Sequence, residues 1–563
     1  MKGMTAFSCM SEIRGHLIEE SLELFEQKTA APVPKPPSAF SRFINSGWGV
    51  AAVCALVSVF VMGGIIWAGF NPPSGRPDDT ATETQEENLI EPEEITTEPE
   101  ETTTEPEETT TETEAATEPV PLIPSEGLEF VSNGDGTCYV KSEGSCRDSV
   151  VVIPAVSPSG DRVTAIGEWA FSDNLTVTSV VIPDSVTTVE ERAFADCSYL
   201  ESVTLGKGVT EIGTWAFLDC HGLTSITFGD SVTVIGYAAF EQCSALRSLT
   251  LGSGVKTIEK RAFEGCTALE SIRVSAANPA YGGAGNCLIE ISTGTLLLGC
   301  KNTVIPDDGS VKAIGDKAFY RREGLTGIVI PANVQTIGEQ AFRNCTDLVE
   351  VTLPNGLTSI GYQAFSGCTS MTSITLPDSL TTIGMLAFEY CSGLVSVDIP
   401  AGVTKISSGA FGYCSGLTSV SVAEGVAAID SQAFRYCSSL ESIRIPSSVM
   451  SIGREAFYEC KSLTAVILPD GLRWIDLQTF WGCTRLNDIV IPASVVGVSD
   501  SAFSECRDLT RIYYTGNPEQ WESIEIGNSN YKLIPEAVYY YTEIKPTEPG
   551  NYWYYVDGVA TPW

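Results

Sequence analysis

Cysteine is the residue with the most chemical reach in this chain, and most of it falls at one recurring position. Of eighteen cysteines in 563 residues, twelve (Cys197, Cys220, Cys243, Cys266, Cys345, Cys368, Cys391, Cys414, Cys437, Cys460, Cys483 and Cys506) lie three residues after a recurring Phe. A thiol can bridge, ligate a metal or attack as a nucleophile, and each use demands its own geometry. There is no Cys-x-x-Cys or His-rich spacing, so no zinc site is expected. The two histidines are His16 and His221. A nucleophile–base arrangement would have to join His221 to one of many serines, and the sequence places no third orienting group beside it. Gly282-Gly283-Ala284-Gly285 does not sit between a strand and a long helix, so it reads as a flexible loop and not a phosphate cradle. Asn133-Gly134-Asp135-Gly136 reads as a hairpin turn with too few carboxylates for calcium. No catalytic residue, metal or cofactor is expected, and the chain is not read as an enzyme.

The other candidate chemistry is aromatic. Counting each repeat Phe as zero, Tyr390, Tyr413 and Tyr436 occupy plus two in successive repeats, and Tyr458 and Trp481 occupy plus one in the next two. Stacked at about 4.8 Å, they would form a stripe along one edge. The stripe reads as an anchor for a partner protein or for sugar rings, since Tyr and Trp bury much area at little entropy cost. It also reads as like residues stacking on one another to stabilise the edge. Plus ten turns apolar late in the array (Ile467, Val490, Tyr513). This is either a second contact patch or a surface covered by the closing segment around Trp521.

What must position these residues is a period of 23. The phenylalanines are Phe171, Phe194, Phe217, Phe240 and Phe263, then Phe319, Phe342, Phe365, Phe388, Phe411, Phe434, Phe457, Phe480 and Phe503; Ala precedes each except Phe480, preceded by Thr479. A fixed period of this length means stacked coils, because one unit cannot bury its own apolar face. Ser-Ile-x-Ile-Pro reads as a short strand, Val-x-x-Ile-Gly as a second, and Ala-Phe-x-x-Cys-x-x-Leu as a tight turn close to 3₁₀. The expected fold is a mainly β repeat solenoid: a right-handed coil of 23-residue units with short parallel strands and one 3₁₀-like turn per repeat. Fourteen units would make a rod on the order of 65 Å long.

The twelve repeat cysteines read as inward columns of stacked free thiols. In-register side chains run side by side, whereas a disulfide needs a dihedral near 90°. Two other pairs are bridge candidates. Cys287 and Cys300 would face each other if Ser292-Thr293-Gly294-Thr295 made a two-residue hairpin turn. Cys138 and Cys146 lie close together near the start of the array.

The motif AFSGCTSMTSITLPDSLTTIG resembles the BspA-like class of bacterial leucine-rich repeats, and the likeness covers roughly 125–543. LEFVSNGDGTCYVKSEGSCRDSVVVIP is similar to that family's opening cap and IYYTGNPEQWESIEIGNSN to its closing cap, while NPAYGGAGNCLIEISTGTLLLGCKNTVIP is similar to a recurring insertion. The reading is therefore an opening cap at 125–165, a solenoid at 166–515 with an insertion at about 275–305, a closing cap at 516–543 and a tail at 544–563. Asn174 and Arg322 depart from the pattern, standing where Cys is expected.

The front of the chain is a different object. Gly47 to Phe70 is uncharged and mostly apolar over 24 residues, long enough to span a bilayer; a cleaved signal peptide is the other reading. Lys28, Lys35 and Arg42 precede it and only Arg76 follows before a run of acid, which leaves residues 1–46 in the cytoplasm and the rest outside. Residues 11–27 read as a short amphipathic helix, either lying near the membrane or docking a cytoplasmic partner. Residues 71–124 are Thr/Glu/Pro-rich, with seventeen acids and one base. They read as a disordered stalk reaching at most about 170 Å. Residues 125–563 hold 49 acids against 27 bases, which does not suit a nucleic-acid binder.

These expectations combine into a single-pass protein of the bacterial cell surface, its repeat domain extracellular. The resemblance implies an adhesin-like role, recognising an extracellular protein or glycan. The alternative is an envelope structural or signalling protein whose ectodomain senses the exterior and whose N-terminal tail contacts a cytoplasmic partner.

Overall fold

The computed structural model describes residues 123–547, 549–556 and 559–563. The expectations for 1–46, 47–70 and the stalk up to 122 lie outside the described residues. Among those described, no helix is long and apolar enough to cross a membrane.

Each repeat is built from three short segments. In the first, alternation of polar and branched residues turns one face inward: Ser419–Val422 runs exposed, buried, exposed, buried. It pairs in parallel with Ser396–Ile399 and Ser442–Arg444, Ser419 lying opposite both Ser396 and Ser442, so each register step is one period. A two-residue strand, Ala428–Ile429, is laddered in the same way between Lys405–Ile406 and Ser451–Ile452. The glycine that often follows this strand permits close approach: a Cβ on Gly361 would stand 2.7 Å from the backbone of Gly338, one coil earlier.

The third segment corrects the expectation of a 3₁₀ turn. The N–H groups of Ala387, Glu389 and Cys391 donate three residues back, to Gly384, Leu386 and Phe388 at 3.3, 3.1 and 3.2 Å. Those of Leu386, Phe388 and Tyr390 instead donate to Ser408, Ala410 and Gly412 of the next coil at 3.0, 2.8 and 2.9 Å. A 3₁₀ helix would keep all these bonds within one coil. Left-handed backbone on either side of the Phe, at Leu386 (φ 57°) and Tyr390 (φ 60°), turns every second N–H along the array. Every repeat has this pair at minus two and plus two, and glycine fills only Gly265, Gly367, Gly409 and Gly482 among those positions. A left-handed non-glycine residue costs on the order of 1–2 kcal/mol. The forward bonds offset that cost by forming a third parallel ladder.

The interior is a pair of phenylalanine columns, Phe171 to Phe263 and Phe319 to Phe503. Neighbouring ring centroids lie 4.8–5.7 Å apart with planes within 14°. The insertion divides the core into two clusters. Its strand Thr295–Gly299 pairs in parallel with Ala313–Ile314, so it substitutes for a missing coil. Gly299 lies against the ring of Phe319, where a Cβ would stand 2.0 Å from a ring carbon.

Neither candidate disulfide forms. Cys287 stands opposite Gly299, not Cys300, because the hairpin closes from Glu290 to Thr295 through a longer loop, residues 291–294, in place of a two-residue turn, and the bulge after Leu288 recovers only part of that shift. The two side chains enter different cores, Cys287 the later and Cys300 the earlier. Cys138 and Cys146 are also free and buried.

The far end differs from expectation as well. The closing cap has its helix, Pro518–Glu522, held by a reciprocal Asn517/Gln520 cap and burying Trp521 against Tyr514 at 5.2 Å. The chain beyond it is not a simple tail: Val538–Tyr541, Tyr552–Val556 and Val559–Pro562 extend the main sheet. Trp553, fully buried, covers Val490 and Tyr513 and donates its indole N–H to the Tyr514 carbonyl at 3.0 Å. The late apolar positions are thus covered from 553, not from Trp521, while Ile467 stays exposed.

Candidate binding surface

The repeat cysteines do more than fill space. Each of the twelve thiols donates to the carbonyl of the Phe one coil earlier, at 2.9–3.3 Å. The Phe365 carbonyl, for example, accepts both the Cys368 N–H and the Cys391 thiol at 3.1 Å. Burial pushes the Cys197 and Cys345 thiols up to about 12 and raises Cys368 well above its ordinary value. They stay protonated, which suits donors and denies them nucleophilic use. Where the thiol is replaced, other chemistry fills in. The Asn174 side chain accepts from the N–H groups of Thr176 and Val177. Arg322, wholly buried beside the insertion, sends its Nη1 to the Cys266 carbonyl.

His221 does have an orienting carboxylate, which sequence reasoning missed: Asp219 lies 3.8 Å from its Nε2. Its Nδ1, however, lies 3.0 Å from the Gln242 carbonyl, which can only accept. The nitrogen facing Ser244 at 3.4 Å therefore carries a proton and cannot serve as that serine's base.

The turn segment brings the five aromatic candidates together. Tyr390–Tyr413 and Tyr413–Tyr436 stack at 4.5 and 4.8 Å, Tyr436–Tyr458 meet edge to face at 5.4 Å, and Tyr458–Trp481 stack at 4.6 Å. Tyr390 is exposed and the other four are half-buried. The rings spend much of their faces on one another. Burial, with Glu389 and Tyr413 adding to it, pushes the Tyr390 phenol up to about 12, so it remains a neutral donor. Burial also pushes the Glu389 carboxyl up to about 7, opposed by Arg343. Sequence reasoning missed Arg435, whose guanidinium lies 5.2 and 4.9 Å from the Tyr436 and Tyr458 rings and pairs with Glu455 at 3.0 Å. Its position at plus one, next to Tyr436, was the available signal.

The earlier half has its own aromatic edge at minus two. Arg192 is sandwiched between Trp169 and Trp215, its guanidinium carbon 4.6 and 4.4 Å from their ring centroids. Tyr237 meets Trp215 edge to face at 5.7 Å. Two tryptophans spaced by twice the period were the overlooked signal.

A stack of 23-residue coils, each with two parallel strands, a turn ladder and an inward Ala-Phe-x-x-Cys, defines a leucine-rich-repeat solenoid. The family model for the BspA type leucine rich repeat region matches residues 164–280, 312–441 and 404–533 in six copies. The chain belongs to the BspA-type leucine-rich repeat family. A leucine-rich repeat protein of known crystal structure from Bacteroides ovatus is 28% identical with a TM-score of 0.55, the match covering 74% of this chain and 99% of that one. One from Eubacterium ventriosum is 23% identical with a TM-score of 0.41, covering 68% and 93%. A leucine rich cell surface protein from Faecalibacterium prausnitzii is 22% identical with a TM-score of 0.32, covering 73% and 99%. A search of curated protein sequences gives no match.

Proposed function

We propose that this is an adhesin-like binding protein of the bacterial cell surface, held by a single membrane span at 47–70 and presenting its solenoid to an extracellular protein or glycan. The observation that carries the reading is the tyrosine column. Tyr390, Tyr413 and Tyr436 all hold left-handed backbone (φ 60°, 61° and 58°) at a position that every other repeat fills with Gly or a polar residue (Asp, Asn, Gln, Glu or Arg) and none with another aromatic. A bulky ring there is strained, and three in succession build an aromatic edge, exposed at Tyr390 and half-buried at Tyr413 and Tyr436. Anchorage rests on the apolar run and the acidic stalk of the sequence. The test is to probe protein and glycan arrays with the purified chain. Tyr413→Ala with Tyr436→Ala is expected to abolish the main hit, and unchanged binding removes the column from the site. Deleting residues 1–46 is expected to leave binding intact.

A further inference from the structure

Arg192 carries a charge that no described residue answers. Its Nε is buried without a hydrogen-bond partner, and among the described residues no carboxylate pairs with it. Two other arginines of the turn segment are matched, Arg435 by Glu455 and Arg261 by Glu241 and Glu264; Arg343 makes no ion pair among the described residues but lies beside the Glu389 carboxyl. Glu190, two residues before Arg192, is engaged by the Glu168 N–H at 3.2 Å. The two indoles cover both faces of the guanidinium and fix its plane. With Nε buried, what they leave is the terminal Nη1/Nη2 pair, a preorganised fork whose geometry matches a carboxylate. Trp169 adds a second element. It is 51% exposed, with Arg192 on one face and no described ring or cation on the other. Such a bare indole face takes the C–H side of a pyranose ring. An acidic peptide side chain would use the fork but leave that face empty.

We propose that Trp169, Arg192 and Trp215 form a site for a carboxylated sugar, the hexuronic acid of a glycan. This rests on the recognition reading above but uses a different edge of the solenoid from the tyrosine column. The head holds 49 acids against 27 bases, so long-range attraction is absent and affinity must come from contact.

The experiment is titration calorimetry of the full chain with tetragalacturonic acid, its methyl ester and a tetraglutamate peptide. The free acid is expected to bind, with the ester and the peptide weaker by about tenfold or more. Arg192→Gln and Trp169→Ala are each expected to weaken the free acid by about tenfold, and Arg192→Lys to restore only part, because an ammonium lacks the fork. Tyr413→Ala with Tyr436→Ala is expected to leave this titration unchanged, so either site can fail alone. Equal binding of acid and ester overturns the proposal, as does no binding of the acid at all. Peptide binding as tight as the sugar's overturns the glycan class. The ester and peptide comparisons use the unaltered chain, so they decide even if a variant misfolds.

Discussion

Phe388 and Tyr390 lie two residues apart in one turn, yet they belong to unlike columns. The first is fully buried among rings on either side, its neighbours Phe365 and Phe411 at 5.3 and 5.2 Å. The second is 48% exposed and its column runs only to Trp481. The inner column is required by every coil, since an unfilled position would open a void against both neighbours. The outer column is optional: the equivalent positions elsewhere hold glycine or a polar residue, such as Asp173, Gln242, Arg321, Asn344 or Glu459. The difference teaches that the repeat fixes a scaffold and leaves one strained edge free to vary.

The largest effect that would break this contrast lies inside. Phe388→Ala is expected to cost about 3–5 kcal/mol by leaving a cavity in a stacked column. Tyr413→Ala should cost no more than about 1 kcal/mol, and urea denaturation of both variants compares them directly. If Tyr413→Ala were as damaging as Phe388→Ala, the edge would be structural and not optional.

Next comes the insertion boundary. Arg322→Ala removes the partner of the Cys266 carbonyl and empties a wholly buried position, and should cost on the order of 2–4 kcal/mol. A near-neutral melting temperature would show that water takes the arginine's place.

Glu389, between the two columns in sequence, sharpens the contrast through pH. Its carboxyl is pushed up to about 7 from an ordinary 4.5, so the folded state holds the proton more tightly than the unfolded chain does. The stability this lends is full below pH 4.5 and is lost as pH rises through about 7. Glu389→Gln should flatten the stability profile over that window and raise stability at pH 8 by on the order of 2 kcal/mol. An unchanged profile would mean that Arg343 fully matches the carboxylate.

The smallest expected difference is the most specific. At Tyr413 the backbone is left-handed, so Tyr413→Gly should be more stable than Tyr413→Ala by about 1 kcal/mol, the reverse of the usual order. Paired thermal melts decide it, and alanine as the more stable variant would contradict the left-handed turn.

The contrast also explains what the sequence could and could not reveal. Period, paired strands and inward Phe and Cys were legible because each rests on a side-chain type repeated at one position. The turn ladder was not. Its signal is backbone sign, and residues such as Leu386, Gln432 and Glu455 occupy positions where glycine would have announced it. The Cys287–Cys300 pairing failed because Thr293-Gly294 reads as a two-residue turn, whereas the strands part at Glu290 and Thr295 around a longer loop. The strands beyond the closing cap were missed because Tyr552–Val556, nearly all aromatic, follows no repeat pattern. The Trp169–Arg192–Trp215 sandwich was missed because one of its three members is not aromatic.

The thiol bonds have a further consequence. Each runs from one coil to the Phe carbonyl of the coil before, always across 26 positions in sequence. Excising or duplicating a whole unit between Phe365 and Phe457 therefore gives every thiol an equivalent acceptor again. This stretch can lengthen or shorten in steps of one repeat without redesigning the thiol bonds, although edge contacts such as Arg435–Glu455 belong to particular repeats.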